Sequence, residues 1–302
     1  MKMEGVLKKH NKIFKYLQIR KGIFCLITQI SPTLNTQLRY RQKFGVFPNL
    51  KEPKTFSEKL SWLKLNRYCQ DPLVIQCADK YLVREYVVQC GHKELLNELY
   101  GVYSSMEEIS WDSLPPQFVL KWNFGAGMNM ICRDKSDWNI HQVTTQMMEW
   151  GKCKFWLPYA EMHYKYIPRK IICERYLEDA KEKDALPDYK VYCFHGEPLA
   201  ILVMHDRGKT IKSEFFDAQW VPLKNTGKYQ EVADPTPRPS CLQQMLQVSR
   251  NLSKPFPFVR CDYYVVDERL YFGEMTFTPA CGLDVSQTKI NGKDMAEYLQ
   301  IP

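Results

Sequence analysis

The sequence predicts an α+β fold in which helices come first and an antiparallel sheet follows. As far as the Pro115-Pro116 break, apolar residues recur at helical spacing, as Phe56, Leu60 and Leu63 do. After that break, short apolar runs of strand length alternate with turn residues, and several of them form neighbouring pairs around a turn. This order of helices and paired strands is typical of an α+β protein dominated by an antiparallel sheet.

The N-terminal third is predicted to hold three helices. Residues 5–24 mix apolar side chains with lysines, which fits either a helix packed on the body or a helix lying on a membrane surface. Thr55 and Glu58 have the spacing of a capping box, so a second helix should begin there. A third helix is expected to begin at Asp79.

The remaining two thirds are predicted to consist mainly of strands and turns. The expected strands are 95–102, 118–121, 170–177, 189–195, 198–205, 258–266 and 270–277. The expected helices run from Ser136 to about Trp150 and over 239–252, and the expected turns are 123–129, Gly196 and Asp267-Glu268.

The composition describes a globular chain with a basic N-terminus. Of the 302 residues, 45% are hydrophobic and 25% are charged, so the chain can bury a large core without disulfides or metal. The net charge of +8 comes mainly from residues 1–24, with seven basic side chains and one acid, whereas the other 278 residues hold 35 basic and 33 acidic ones. A nucleic-acid binder usually spreads its positive charge over a docking face, so we expect no nucleic-acid partner. We predict a basic helical arm over 1–52 and a body over 53–302.

Cysteine usage and the N-terminal sequence predict a cytoplasmic protein. The eleven cysteines include no C-x-x-C pair, so the sequence has neither a zinc signature nor an evident disulfide framework. The apolar run 22–30 is too short to span a bilayer and is not followed by a small-residue cleavage site. We therefore expect reduced cysteines in the cytoplasm, at the inner face of the membrane if residues 1–24 contact lipid.

Two late strands are predicted to bring carboxylates together. Arg260, Asp262 and Tyr264 share one face of their strand, because side chains alternate along a strand. Glu274 and Thr276 share a face of the returning strand, so pairing about the turn should bring Asp262 and Glu274 close to each other. Two carboxylates among aromatic residues need a cation. That cation is either Mg²⁺ completed by nucleotide phosphates, or the guanidinium of Arg260, and the spacing leaves both open.

A lysine before a glycine-containing turn is the second candidate feature. Lys121 ends a buried strand just before the turn 123–129. Its ammonium and the amides of the turn are suited to phosphate oxygens. An ordinary β-turn has the same pattern, so this feature also leaves two interpretations open.

Taken in order, several segments resemble the TupA-like branch of the ATP-grasp superfamily, which is linked to bacterial surface-polysaccharide and teichuronopeptide synthesis. The segments are Asp79-Lys80-Tyr81 with 83–87, Phe118 to Asn123, Lys170 to Glu174, Leu186 to Gly196, and Phe258 to Asp262 with Phe272 to Pro279. The resemblance extends from about Thr55 to Gly292. It implies an ATP-grasp fold, in which two α+β lobes hold ATP between them behind a helical N-terminal extension. The body would then divide into 53–117, a glycine-loop lobe over 118–180 and a catalytic lobe over 181–302.

The resemblance implies an ATP site in the first half of the body. Lys80 and Lys121 match the two lysines that hold ATP phosphates. Asn123, Gly125 and Gly127 match the mobile glycine loop that closes over those phosphates.

Contacts to the nucleoside are implied by two further segments. Glu174 to Leu177 match the hinge that presents backbone to adenine. Asp188 and Lys190 match positions that contact ribose and phosphate.

Metal-binding and catalytic roles are implied for the late strands. Asp262 and Glu274 match magnesium ligands, and Thr276 stands where many relatives have a third ligand. Arg260 matches the arginine near the transferred phosphoryl group. Arg207 is an additional candidate for binding a substrate anion, because it follows a strand that we expect to face the cleft.

Two positions depart from the pattern of the family. Phe124 stands where a histidine is expected, in a turn that is usually richer in serine. Thr276 replaces an asparagine, and a hydroxyl is a poorer metal ligand than an amide carbonyl. These departures affect the loop and the second metal position, whereas the lysines and the carboxylates are retained.

For activity, the resemblance implies an ATP- and Mg²⁺-dependent carboxylate–amine ligase that acts through an acyl phosphate. Its substrates would be a uronic-acid carboxylate of a surface glycan or its precursor, and an amino acid or amino sugar. Two alternatives stay open. One is a kinase that phosphorylates a glycan hydroxyl at the same ATP site, and the other is a nucleotide-binding scaffold in polysaccharide assembly.

Overall fold

The structure is a computed structural model that describes residues 22–179, 186–205, 211–224, 235–283 and 289–301. Its helices are 22–30 (α1), Pro32–Phe44 (α2), Phe56–Asn66 (α3), Pro72–Ala78 (α4), Val83–Gln89 (α5), Ile140–Gly151 (α6), Leu242–Ser253 (α7) and Met295–Tyr298 (α8). Its strands are Leu99–Tyr103 (β1), Phe118–Trp122 (β2), Asn129–Cys132 (β3), Ile171–Arg175 (β4), Asp188–Phe194 (β5), Glu197–His205 (β6), Lys212–Asp217 (β7), Pro222–Leu223 (β8), Phe258–Val266 (β9), Arg269–Thr276 (β10), Lys289–Ile290 (β11) and Lys293–Asp294 (β12).

The strands form two larger sheets and one short hairpin. The four-stranded sheet has the order β1-β4-β2-β3, the six-stranded sheet has the order β10-β9-β5-β6-β7-β8, and β11 pairs with β12. All of these pairs are antiparallel. The predicted α+β class with antiparallel sheets is therefore confirmed, while the division of the chain at 52, 117 and 180 stays a prediction.

One helix packs on each of the larger sheets. On the four-stranded sheet, the indole Nε1 of Trp122 donates to the backbone oxygen of Met147 in α6 at 2.8 Å. On the six-stranded sheet, the hydroxyl of Ser249 in α7 donates to that of Tyr263 in β9 at 2.9 Å, and every residue of β5 is buried. Since each helix covers one face of its sheet, the opposite faces are left to line a site between them.

Some helix starts follow the local sequence and others do not. The helix expected to begin at Asp79 begins at Val83, because Asp79 Oδ1 accepts from the amides of Tyr81 and Leu82 in a turn, and α2 and α4 are not predicted. The capping box of α3 is present, since Thr55 accepts from the amide of Glu58 and the Glu58 carboxylate accepts from the amide of Thr55. The predicted start of a helix at Ser136 is wrong. Asp134 accepts from both the amide and the hydroxyl of Ser136, at 2.8 and 2.7 Å, and α6 is instead capped by Asn139.

The sequence pattern misses several strands. β3, β8, β11 and β12 have two to four residues, which carry little periodicity, and the six-residue β7 is also not predicted. The strand expected over 95–102 begins only at Leu99, since Lys93–Leu95 form a 3₁₀ turn.

The first helices are attached to the body. The hydroxyl of Thr28 in α1 donates to the backbone oxygen of Leu157 at 2.6 Å, and Arg39 Nε in α2 donates to that of Pro158 at 3.1 Å. Most of the basic helix predicted over 5–24 lies outside the described residues. Within the part of the chain that the structure describes, no helix has both the length and the apolar character needed to span a membrane.

Candidate active site

A cleft of about 490 Å³ is lined by residues from the four-stranded and the six-stranded sheets. This volume lies within the range of small-molecule sites. Its lining includes the charged residues Lys80, Lys121, Glu174, Asp188, Asp262 and Glu274, and the apolar or aromatic residues Val119, Leu177, Leu186, Tyr264 and Phe272. The cleft thus offers both ionic contacts and surfaces on which a flat ring could pack.

A β-bulge in β10 places Glu274 opposite Asp262. Phe272 pairs with Tyr263, and the next paired residue, Glu274, pairs with Asp262, so Gly273 is the extra residue. Regular pairing from the turn would have put Gly273 opposite Asp262 and Glu274 on the other face. A Cβ at Gly273 would lie 2.9 Å from the backbone oxygen of Asp262, so this position requires glycine.

Asp262 is the centre of a buried ion-pair network. Arg260 donates to it twice, from Nε to Oδ1 and from Nη2 to Oδ2, both at 2.7 Å. Lys190 Nζ lies 2.6 Å from Oδ2 of Asp262 and 2.6 Å from Oδ2 of Asp188. Asp262 is 2% exposed and Lys190 is 5% exposed. Two cations therefore hold this carboxylate in one orientation.

Glu274 is kept ionised by the cations around it. Burial by itself would raise the pKa of Glu274, but Lys80, Lys190 and Arg260 lower it to about 2. Lys80 Nζ lies 3.3 Å from its Oε2, and the hydroxyl of Thr276 donates to its Oε1 at 3.3 Å. Glu274 is therefore a carboxylate at every pH at which the protein is expected to work.

Glu174, near the end of β4, is a further carboxylate of the cleft, and it contacts two cations. Lys121 Nζ lies 2.5 Å from Oε2, and Arg84 Nη1 lies 3.3 Å from Oε1. Arg84 also donates from Nη2 to the backbone oxygen of Asn97 at 2.7 Å, which ties α5 to this point. The sequence analysis gave Arg84 no role, because its partner Glu174 lies 90 residues away in the chain.

Phe124, which departs from the family pattern, anchors the glycine turn. Gly125 and Gly127 have φ values of 69° and 74°, in the left-handed region that favours glycine. Phe124 is 4% exposed, its ring lies 5.7 Å from that of Trp122, and the guanidinium of Arg169 lies 5.4 Å from its centroid. Phe124 therefore fastens the start of the turn to the body.

Asn123 uses its side chain for hydrogen bonds within the protein. Its side-chain amide donates to Asp79 Oδ2 at 2.7 Å and to the backbone oxygen of Pro168 at 2.8 Å, and its Oδ1 accepts from the amide of Lys170. With 0% of its surface exposed, the side chain has no atom left for a ligand. It joins the strand end to the segments on either side.

The other predicted residues fall into three groups. Nine of them line the cleft: Lys80, Lys121, Gly125, Gly127, Glu174, Leu177, Asp188, Asp262 and Glu274. Lys190, Arg260 and Thr276 lie behind them and contact their carboxylates. Arg207 lies outside the described residues. The roles assigned to all of these residues remain predictions.

The family model of the TupA-like ATPgrasp proteins matches residues 58–297, which is 240 of the 302 residues. The chain belongs to the TupA-like ATP-grasp family. The predicted family and the ATP-grasp fold are therefore confirmed, and the cleft between the two sheets is where an ATP-grasp fold is expected to hold its nucleotide. None of the curated proteins matches the chain.

Several solved structures of ligases are similar to this TupA-like chain. D-alanine–D-alanine ligase from Bacillus anthracis complexed with ATP is 15% identical, with a TM-score of 0.40 over 67% of this chain and 55% of that one. The ADP complex of N5-carboxyaminoimidazole ribonucleotide synthetase is 11% identical, with a TM-score of 0.44 over 72% and 49%. L-amino acid ligase from Bacillus licheniformis is 12% identical, with a TM-score of 0.42 over 67% and 43%. The chain thus spans about half the length of these enzymes, and we take the assignment from the family match alone.

The carboxylates present in this family member fit a magnesium ion bound together with a nucleotide. Among the described residues, no group of three or more His, Cys, Asp or Glu side chains could hold a metal ion by itself. Mg²⁺ is commonly bound by only one or two carboxylates, with phosphates and water completing its octahedron. Asp262 and Glu274, opposite each other on β9 and β10, are such a pair.

Proposed function

We propose that this chain is an ATP- and Mg²⁺-dependent carboxylate–amine ligase. The observation that carries the proposal is that two lysines, Lys80 and Lys121, and two carboxylates on paired strands, Asp262 and Glu274, line one cleft. Lysines and a carboxylate-bound metal are what phosphoryl transfer needs, since its catalysis consists mainly of positioning and charge neutralisation.

In the proposed reaction, a carboxylate oxygen of the acid substrate attacks the γ-phosphorus of ATP, and the bond to the β,γ-bridging oxygen breaks to release ADP. The amine then attacks the acyl carbon, the bond from that carbon to the phosphate oxygen breaks, and the amine proton passes to the released phosphate. The product is an amide. No side chain of the protein needs to act as a nucleophile.

The residues of the cleft divide this task. We assign Lys80 and Lys121 to the phosphate oxygens, and the amides of the turn at Gly125 and Gly127 to closing over them. Arg260, held by Asp262 and Thr276, supplies positive charge near the reacting groups. When Mg²⁺ is bound by Asp262 and Glu274, it neutralises phosphate charge.

Supporting positions are assigned in the same way. Lys190 is buried between two carboxylates, so we assign it to orienting Asp262. Thr276 donates to Glu274 and remains the proposed third donor to the metal. Asp188 is assigned to ribose, and the backbone of Glu174 to Leu177 to adenine. Arg207 remains the proposed contact for a substrate anion.

The substrate class is proposed from the resemblance to the family, and the location is proposed from the use of cysteine. We propose a uronic-acid carboxylate of a surface glycan or its precursor as the acid, and an amino acid or amino sugar as the amine. We also propose a cytoplasmic location, which the eleven cysteines support because all of them lie in the described part of the chain and none forms a disulfide there.

Calorimetric titration with a non-hydrolysable ATP analogue tests the site. We expect binding that requires Mg²⁺ and that is weakened about tenfold or more by Glu274→Gln and by Lys121→Ala. The matched controls are Glu149→Gln and Lys152→Ala, which form an exposed ion pair at the C-terminal end of α6 with an N–O distance of 3.2 Å. If the folded parent protein binds no analogue, both the ligase and the kinase hypotheses are excluded, and the scaffold hypothesis remains.

A hydroxylamine assay then separates ligase from kinase. With ATP, Mg²⁺ and a panel of uronic acids, a ligase traps its acyl phosphate as a hydroxamate. A kinase of a sugar hydroxyl forms ADP with its substrate but no hydroxamate, and that result would overturn the ligase proposal.

A further inference from the structure

The helix α1 is held on the body by one face. Besides the hydrogen bond from Thr28 to Leu157, the Arg39 guanidinium lies 3.5 Å from the ring centroid of Phe24 in α1 and 4.5 Å from that of Tyr159 in the body. The side-chain amide of Asn35 donates to Thr28 Oγ1 at 2.6 Å. These contacts fix the orientation of α1, so its other face has a defined direction.

The other face of α1 is apolar and exposed. Ile23 is 51% exposed, Leu26 is 63% exposed and Ile30 is 84% exposed. Their spacing of three and four residues places them in one narrow stripe along the helix. Leu34, in the first turn of α2, is 44% exposed and follows Ile30 by four residues. Four exposed large apolar side chains within residues 23–34 mark an interaction site more than a random scatter does.

The sequence around this stripe carries charge of one sign. Between Glu4 and Glu52 there is no acidic residue. The basic side chains in that interval are Lys8, Lys9, Lys12, Lys15, Arg20, Lys21, Arg39, Arg41, Lys43 and Lys51. Six of these ten precede α1, so the stripe follows a basic segment directly.

We propose that the Ile23–Leu26–Ile30 stripe of α1, together with Leu34, rests on an anionic lipid surface, and that the positive charge of the surrounding sequence favours this surface. Apolar side chains that enter the interface, together with lysines that pair with anionic lipid, are the combination that binds a helix in the plane of a membrane. The proposal does not depend on the ligase function, because none of these residues lines the cleft.

Two other occupants fit the observations less well. A second copy of this chain, docked by the same face, would bring two sets of these ten basic residues together, and like charges repel. A nucleic acid would neutralise the lysines but would leave the isoleucine and leucine side chains in water. An anionic lipid surface offers an apolar interior to the isoleucine and leucine side chains and negative charge to the basic residues.

Vesicle flotation with the purified full-length chain tests the proposal. The vesicles are phosphatidylcholine alone, and equal parts of phosphatidylcholine and phosphatidylglycerol. We expect flotation only with the anionic vesicles, lost at high salt. The triple variant Ile23→Ser, Leu26→Ser, Ile30→Ser should bind the anionic vesicles at least about tenfold more weakly than the parent does. The matched control is Val88→Ser, Met148→Ser, Val221→Ser, which removes three apolar side chains that are 44%, 44% and 54% exposed elsewhere.

The outcomes are distinguishable. Thermal unfolding shows whether both triple variants are folded, since all six side chains are largely exposed and their loss should leave the melting temperature nearly unchanged. Equal flotation of the two triple variants would overturn the role of the stripe, and equal binding to both vesicle types would overturn the role of charge. Concentration-dependent dimers abolished by the α1 triple variant, or single-stranded RNA bound in preference to vesicles, would replace the membrane by another partner.

Discussion

The two walls of the cleft are built on different kinds of backbone. On one wall, Arg260 and Asp262 of β9 and Lys190 of β5 hold one another across paired strands of one sheet. On the other wall, Lys121 also stands on a strand, but Lys80 precedes α5 and the glycines lie in a turn, so the positions of Lys80 and the glycines depend on loop contacts. Groups on strands keep a fixed geometry, whereas groups on loops can move over a ligand. On this basis we propose that the strand wall sets the reaction geometry and that the loop wall closes over the nucleotide.

Asp262→Asn should have the largest effect, because it leaves Lys190 and Arg260 buried with less negative charge. We expect the free energy of unfolding in urea to fall by about 3 kcal/mol and turnover to fall by roughly 100-fold or more. The exposed Asp112→Asn is the control. A variant as stable as the parent would mean that the strand wall, formed by β9 and β5, does not depend on this ion-pair network.

Gly273→Ala should disturb the same wall without changing any charge. Its Cβ would lie 2.9 Å from the backbone oxygen of Asp262, so the bulge must shift and Glu274 turns away from Asp262. We expect a loss of about 1–3 kcal/mol in stability and of about 100-fold in turnover. Gly22→Ala, where a Cβ meets nothing within 4 Å, is the control. Unchanged turnover would show that the opposition of Glu274 and Asp262 is not needed.

Phe124→Ala should affect the loop wall and spare the strand wall. Loss of the ring that packs against Trp122 loosens the start of the glycine turn, so KM for ATP should rise about tenfold, whereas kcat at saturating ATP should change much less. The exposed Phe47→Ala is the control. Steady-state kinetics decide, and a fall in kcat at unchanged KM would contradict the division between the walls.

The smallest effect is a pH dependence of stability that belongs to Glu274. Because its folded pKa is lowered to about 2 from an ordinary value of 4.5, its contribution is present above pH 4.5 and is lost as the pH falls towards 2. The stability difference between the parent and Glu274→Gln should therefore shrink over that interval in urea unfolding series. A difference that stays constant between those pH values would contradict the ionised state of Glu274.

The sequence was informative for several features that neighbouring residues decide. The capping box at Thr55, the hairpin strands around Gly196 and the turn at Asp267-Glu268 depend on neighbours in the chain, and the structure has them. The pairing of Asp262 with Glu274 was anticipated, but its cause was not. Alternation alone puts Glu274 on the wrong face, and only the bulge at Gly273 corrects it.

What the sequence did not predict depends on contacts between distant segments. Asn123 belongs to a loop motif by position, yet its hydrogen bonds to Asp79, Pro168 and Lys170 come from elements far along the chain. Arg84 in α5 meets Glu174 in β4, 90 residues later in the chain, and no local pattern shows this contact. The misplaced helix start at Ser136 has a local cause, since Asp134 competes for the same hydroxyl and amide.

Lys80 has a position with a consequence for the whole cleft. Its ammonium donates to the backbone oxygen of Gly125 at 2.5 Å and lies 3.3 Å from Glu274. The ammonium of this one side chain therefore contacts both the glycine turn and the bulged strand. Any anion that recruits this ammonium competes with a carbonyl on one side and a carboxylate on the other. If an anion binds Lys80 Nζ and replaces one of these two partners, the contact between the two walls is lost at this point. Binding of an anion is in this way coupled to the distance between the walls.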